Sequence, residues 1–174
     1  QCNQCHDRLA LHGGQRLETQ ECVICHNPTG SDVARRPANA GPAESISFQR
    51  MIHRIHSGEE LTQDLTIYGF GGAAHHYNEV LFPGDRRNCA KCHTANSHQV
   101  PPPPGAAPVI ALRDYFTLQG PGTAACLGCH DSQDAAAHAY LNTTMFPNST
   151  NPAESCGVCH GTNAEWAVDK VHAR

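Results

Sequence analysis

Ten cysteines fall in five pairs, and each pair is followed at once by histidine: Cys2/Cys5 then His6, Cys22/Cys25 then His26, Cys89/Cys92 then His93, Cys126/Cys129 then His130, and Cys156/Cys159 then His160. The runs read CNQCH, CVICH, CAKCH, CLGCH and CGVCH, and no cysteine is left over. Two thiols at this spacing can add across the two vinyl groups on one edge of a porphyrin. The residue after the second thiol then lies under the ring, where its imidazole can bind iron. Other uses of cysteine fit less well. A disulfide scaffold has no need of a histidine after every second cysteine. The first two pairs match a zinc-ribbon spacing, but five is an odd number of pairs and the later ones lie far apart. Thioredoxin-like chemistry uses a single C-x-x-C on a βαβ unit. Five runs that consume every cysteine predict five covalently attached haem c groups.

The chain has 13 histidines, so eight remain outside the runs: His12, His53, His56, His75, His76, His98, His138 and His172. That supply suffices for a second imidazole on every iron, whereas methionine, the common rival axial ligand, occurs only at Met51 and Met145. An iron held by two histidines has a low potential and no open position for substrate, which favours electron transfer over catalysis. The five preferred second ligands are His12, His53, His56, His138 and His172. The roles of His75, His76 and His98 stay open. His75 and His76 are adjacent and point in different directions, and His98 lies in a loop before a run of prolines.

These ligands need elements to hold them. His53 and His56 lie in SISFQRMIHRIHSG, where Ser47 can cap a helix and Gly58 can end it. Phe48, Met51, Ile52 and Ile55 form its apolar stripe. At i, i+3 the two imidazoles share roughly one face, so one rigid turn could serve two irons. His138 falls in a second predicted helix capped by Ser132, and His172 in a C-terminal helix. His12 precedes Gly13-Gly14, where small residues would let backbone approach a porphyrin. Residues 99–108 read as a stiff polyproline-like connector.

Apolar residues are 39% of the chain and aromatics 6%, thin for a conventional core, and 15 Gly and 12 Pro imply many turns. At about 35 residues per haem, metals and cross-links must replace much of the side-chain burial. The expected fold is therefore mostly irregular loops with a few short α-helices wrapped around a haem core, with little or no β-sheet, and residues 1–174 as a single pentahaem domain. The apo-chain is expected to be unfolded. No apolar run approaches a membrane span, and with a net charge of -4 and no basic run, nucleic acid is not an expected partner. The start, one residue before the first cysteine, reads as that of a processed or truncated chain or part of a longer one.

The sequence resembles one pentahaem domain of the OmcA/MtrC family of outer-surface multihaem cytochromes. The resemblance is carried by CNQCHDRLALHGG, MIHRIHSG, FPGDRRNCAKCH, AACLGCHDS with AAAHAYLNT, and ESCGVCHG with VDKVH. It implies that His12, His53, His56, His138 and His172 are distal ligands. It also implies a place outside the cell or on the outer-membrane surface, in extracellular electron transfer and dissimilatory metal reduction. Electrons would come from other multihaem cytochromes or a porin–cytochrome conduit and pass to mineral oxides, metal chelates, flavins or electrodes. Family members are usually decahaem, with two pentahaem and two β-rich domains, so this sequence is half a typical member. A filament built from copies of the chain is the alternative assembly. Pentahaem nitrite reductases share the haem count, but their active haem has Lys in place of the motif histidine, and all five motifs here end in histidine.

Overall fold

The computed structural model describes residues 1–173. Six short helices are set among hairpins: α1 (Thr19–Cys25), α2 (Phe48–Ser57), α3 (Pro121–Cys126), α4 (Gln133–Leu141), α5 (Gly157–His160) and α6 (Val168–Val171). Single 3₁₀ turns cover Cys2–Gln4, Gly58–Glu60, Phe70–Gly72 and Cys89–Lys91. Three antiparallel pairs alternate with them. β1 (Thr66–Tyr68) pairs with β2 (Ala74–His76), β3 (Val109–Ile110) with β4 (Leu118–Gln119), and β5 (Thr143–Thr144) with β6 (Ala153–Glu154).

This corrects the expected fold class. The chain is not a helical wrap with little or no β-sheet, because two-stranded sheets recur through its middle and C-terminal parts. The physical reason is local. Thr66-Ile67-Tyr68 is β-branched and aromatic, and Gly69, Gly71 and Gly72 let the chain reverse so that Ile67 pairs with His75. The other two pairs are two residues long, too short for any alternation to show in the sequence.

Helix α2 is the organising element. Met51 packs with Leu65 and Ile67 in an apolar cluster of buried residues, with Ile46, Ile52, Ile55, Leu61 and Tyr77 at its margin. Two arginines on the same helix are also buried, Arg50 and Arg54, each 2% exposed. Arg50 donates to Asp114 at 2.6 Å and Arg54 lies 3.8 Å from Asp131. Asp131 in turn accepts from the Thr62 and Gln63 backbone amides at 3.0 and 2.9 Å. Breaking such a pair on one side leaves an uncompensated buried charge, so these pairs fix where α2 sits. Ser47 occupies the N-cap position, but its side chain makes no cap bond. Ser132 does cap α4, its hydroxyl accepting from Ala135 N at 3.2 Å.

Gly58 ends α2 at φ 44°, ψ -115°, and the Val80 backbone fills the space a Cβ would need. Gly58→Ala is expected to cost ~2 kcal/mol or more, from backbone strain plus the clash. Thermal unfolding of the haem-loaded protein should show a lower midpoint, and an unchanged midpoint would refute the assignment. Among the described residues no helix is long and apolar enough to cross a membrane.

Candidate haem-ligating site

Each C-x-x-C-H run is one helical turn. The histidine amide donates to the carbonyl of the first cysteine in all five: His6 to Cys2 at 3.0 Å, His26 to Cys22 at 2.8, His93 to Cys89 at 2.9, His130 to Cys126 at 2.8 and His160 to Cys156 at 2.8. Residues at i, i+3 and i+4 share a side of such a turn, so two thiols and an imidazole face the same way. None of the ten expected attachment cysteines is paired in a disulfide. The second cysteine of every run, Cys5, Cys25, Cys92, Cys129 and Cys159, is exposed, which suits a residue that must meet a porphyrin edge. In the fifth run Cys159 is also held by its backbone, its carbonyl accepting from the Trp166 amide at 3.2 Å. No group of three or more His, Cys, Asp or Glu among the described residues is placed to hold a bare metal ion, as structural zinc would need.

Every motif histidine faces a histidine from outside the runs. Ring centres are 6.1 Å apart for His6 and His56, 5.9 Å for His26 and His12, 5.9 Å for His93 and His53, 6.0 Å for His130 and His172, and 6.0 Å for His160 and His138. A metal held by imidazoles on opposite sides, with bonds of ~2.0–2.1 Å, puts ring centres roughly 6 Å apart. Direct aromatic contacts also fall in the 4.5–7 Å range, as His56 and Phe82 do at 5.8 Å. Across the five pairs the interplanar angles run from 25° to 86° while the distance barely moves. Such a distance leaves room for one atom between the two imidazoles of each pair. The residues present fit bis-imidazole haem.

Hydrogen bonds set which ring nitrogen is free. Nδ1 of His56 donates to the Ile52 carbonyl, His26 to Ile46, His160 to Trp166 and His172 to Val168, at 2.8–3.0 Å. Each leaves Nε2 for metal and makes that nitrogen more basic. Four of the five pairs therefore hold one carbonyl-anchored ring. The His53/His93 pair has none: His93 Nδ1 meets the Ser97 hydroxyl at 3.1 Å, and His53 Nδ1 is buried without a partner. Burial, then His93, His56 and Arg50, push the His53 pKa down to about 4. Burial likewise lowers the pKa of His93 and His130. These rings are neutral at pH 7, the form that binds metal.

The runs adjoin in a definite order. Desolvation by the groups crowded around it, then Cys156, Glu154, Cys129 and Cys89, raise the Cys126 thiol. Partial desolvation first, then Cys2 and Cys5, raise Cys92. The third run therefore borders the first and the fourth, and the fourth borders the fifth.

The remaining histidines divide. His76 Nδ1 pairs with the Thr66 hydroxyl at 3.0 Å, and neither His75 nor His76 faces a motif histidine. His98, set aside on sequence grounds, stands 5.9 Å from His93, the same distance as His53. Sequence reasoning also missed Arg50, Arg54, Ser57 and Gly128 around His53. The clue available for Gly128 was that the other four runs carry Gln4, Ile24, Lys91 and Val158 at that position. A Cβ on Gly13 or Gly14 would meet nothing within 4 Å. With His12 at φ 51°, they form three successive left-handed residues, at 78° and 79°, which turn the chain back toward Arg16.

Residues 1–173 match the model of the family described as outer membrane cytochrome MtrC/MtrF-like, domains II/IV. The structure is similar to the crystal structure of the outer membrane decaheme cytochrome OmcA, with a TM-score of 0.57 and 25% identity. That similarity covers 98% of this chain and 23% of OmcA, so the chain spans under a quarter of that protein's length. The similarity extends over nearly the whole of this chain's fold. No curated protein matches the sequence.

Proposed function

Since the chain belongs to the outer membrane cytochrome MtrC/MtrF-like family, we propose that it is a pentahaem electron conduit. In this reading residues 1–174 make one domain that carries five haem c groups, each held by two histidines. The thioether pairs are Cys2 with Cys5, Cys22 with Cys25, Cys89 with Cys92, Cys126 with Cys129, and Cys156 with Cys159. The carrying observation is that five motif histidines each face a second histidine with ring centres 5.9–6.1 Å apart. The ligand pairs are His6/His56, His26/His12, His93/His53, His130/His172 and His160/His138.

When bound, such a group supplies one-electron exchange between ferric and ferrous iron. The chain's own residues do the rest. The thiols fix each ring edge. The carbonyl-bonded Nδ1 atoms hold the imidazoles in one tautomer with Nε2 inward. Two imidazoles per iron leave no position for a substrate, which supports a conduit over a reductase. The bordering of the third run on the first and fourth, and of the fourth on the fifth, supports a route through those four sites. The proposed setting is the outer-membrane surface, in extracellular electron transfer. Other multihaem cytochromes or a porin–cytochrome conduit would donate, and mineral or metal-chelate acceptors would receive.

The test is a haem count and ferric spectra on protein produced with cytochrome c maturation. Five haems per chain, all low-spin, are expected. Fewer than five, or a high-spin fraction that marks an open iron, would overturn the reading and revive a multihaem reductase.

A further inference from the structure

Helix α2 meets three of the five C-x-x-C-H runs within five residues. His56 faces His6 of the first run, and His53 faces His93 of the third. Its contact with the fourth run involves no imidazole pair. A Cβ on Gly128 would lie 2.5 Å from the His53 Cβ and 2.9 Å from the Ala125 carbonyl oxygen. Only glycine lets this run approach the helix so closely. Attachment chemistry does not ask for glycine there, as Gln4, Ile24, Lys91 and Val158 in the other runs show.

Beside this contact the Ser57 hydroxyl lies 2.9 Å from the His53 carbonyl oxygen, 3.5 Å from the Gly128 carbonyl oxygen and 3.2 Å from Cys129 Sγ. Ser57 is 2% exposed, so no bulk water competes. A sulfur bonded to two carbons accepts hydrogen bonds but cannot donate them. The one hydroxyl proton has the His53 carbonyl, the Gly128 carbonyl and the sulfur within reach, so Ser57 bridges an imidazole-bearing residue of one run's partner helix and the attachment sulfur of the next.

We propose that Ser57 is a coupling residue between the haem held by His53 and His93 and the haem attached through Cys126 and Cys129, with Gly128 setting the approach. This rests on the pentahaem reading above. The step it would serve is a one-electron exchange between these two haems, in which one iron would go from ferrous to ferric as the other goes from ferric to ferrous. No proton moves, no bond breaks, and no further oxidant or reductant is needed. Ser57 acts through Cys129 and His53 and touches neither iron.

The test uses haem-loaded Ser57→Ala, a small-for-small change at a helix end. Exchange between assigned haem-methyl NMR signals, followed through stepwise reduction, reports each inter-haem rate, and the same titration gives each potential. Exchange between the third and fourth haems should slow severalfold while the other neighbouring pairs keep wild-type rates. The fourth haem's potential should fall, because its thioether sulfur loses a hydrogen bond that draws charge from the ring. Unchanged exchange, an unchanged potential, or equal slowing at every pair would overturn the proposal. A wild-type protein without five low-spin haems would instead sink the pentahaem reading itself.

Discussion

Haem-loaded His53→Ala is expected to give one high-spin ferric haem beside four unchanged low-spin ones. His53 faces only His93, so its loss opens one iron and leaves the other four pairs intact. His53→Met, which still offers a ligand, should keep all five haems low-spin and raise a single potential, as exchange of imidazole for thioether does. The pair is also set apart before any substitution. It alone lacks an imidazole whose Nδ1 donates to a carbonyl, so its ligands are the least electron-rich of the five. Arg50, buried and paired with Asp114, adds a cation near His53. Both effects favour ferrous iron, so the wild-type haem at His53/His93 should be the first of the five to be reduced. His98 gives the experiment its second arm, since its ring stands as close to His93 as that of His53. If His98 holds the iron, His53→Ala stays wholly low-spin and His98→Ala turns high-spin. That result would reassign the distal ligand of the third haem.

The five proposed attachment runs were legible because they rest on a covalent spacing. C-x-x-C-H places two thiols and an imidazole on one turn, so the signal shows in the sequence whatever the fold does around it. Helix α2 was legible too, from its apolar stripe and from Gly58. The pairing of the histidines was not. His12 is nearer in sequence to His6 yet faces His26, and His53 and His56 reach different runs, at His93 and His6. Such choices depend on where α2 is docked. Its docking depends on Arg50 and Arg54, whose carboxylate partners, Asp114 and Asp131, lie more than 60 residues away, beyond the reach of any local pattern. The hairpins were missed for a plainer reason. Strands of two or three residues carry no period, and what defines them is a partner across a turn.

Without haem the same chain is expected to show no cooperative unfolding transition. The apolar cluster around Met51, Leu65 and Ile67 is small. Large side chains stand in water elsewhere: Ile24 is 73% exposed, Val158 78% and Leu141 82%, the first two inside C-x-x-C-H runs. The buried Arg50–Asp114 and Arg54–Asp131 pairs specify position but return little net free energy after desolvation. Cross-linking by the haems changes this balance. Each would tie two segments through its histidines, closing loops from about 14 residues (His12 to His26) to about 50 (His6 to His56). A link of that kind removes roughly 3–4 kcal/mol of chain entropy from the unfolded state, by analogy with a disulfide. Five links, with the apolar rings covering the exposed side chains, outweigh anything the polypeptide supplies alone. Protein made without cytochrome c maturation should therefore give a far-UV spectrum dominated by irregular chain and rapid amide exchange throughout, α2 included. A sigmoidal melt of the apo-chain, or slow exchange at Met51 and Ile52, would show that the polypeptide holds its own core. The haems would then be cargo bound to a folded scaffold rather than the links that make it fold.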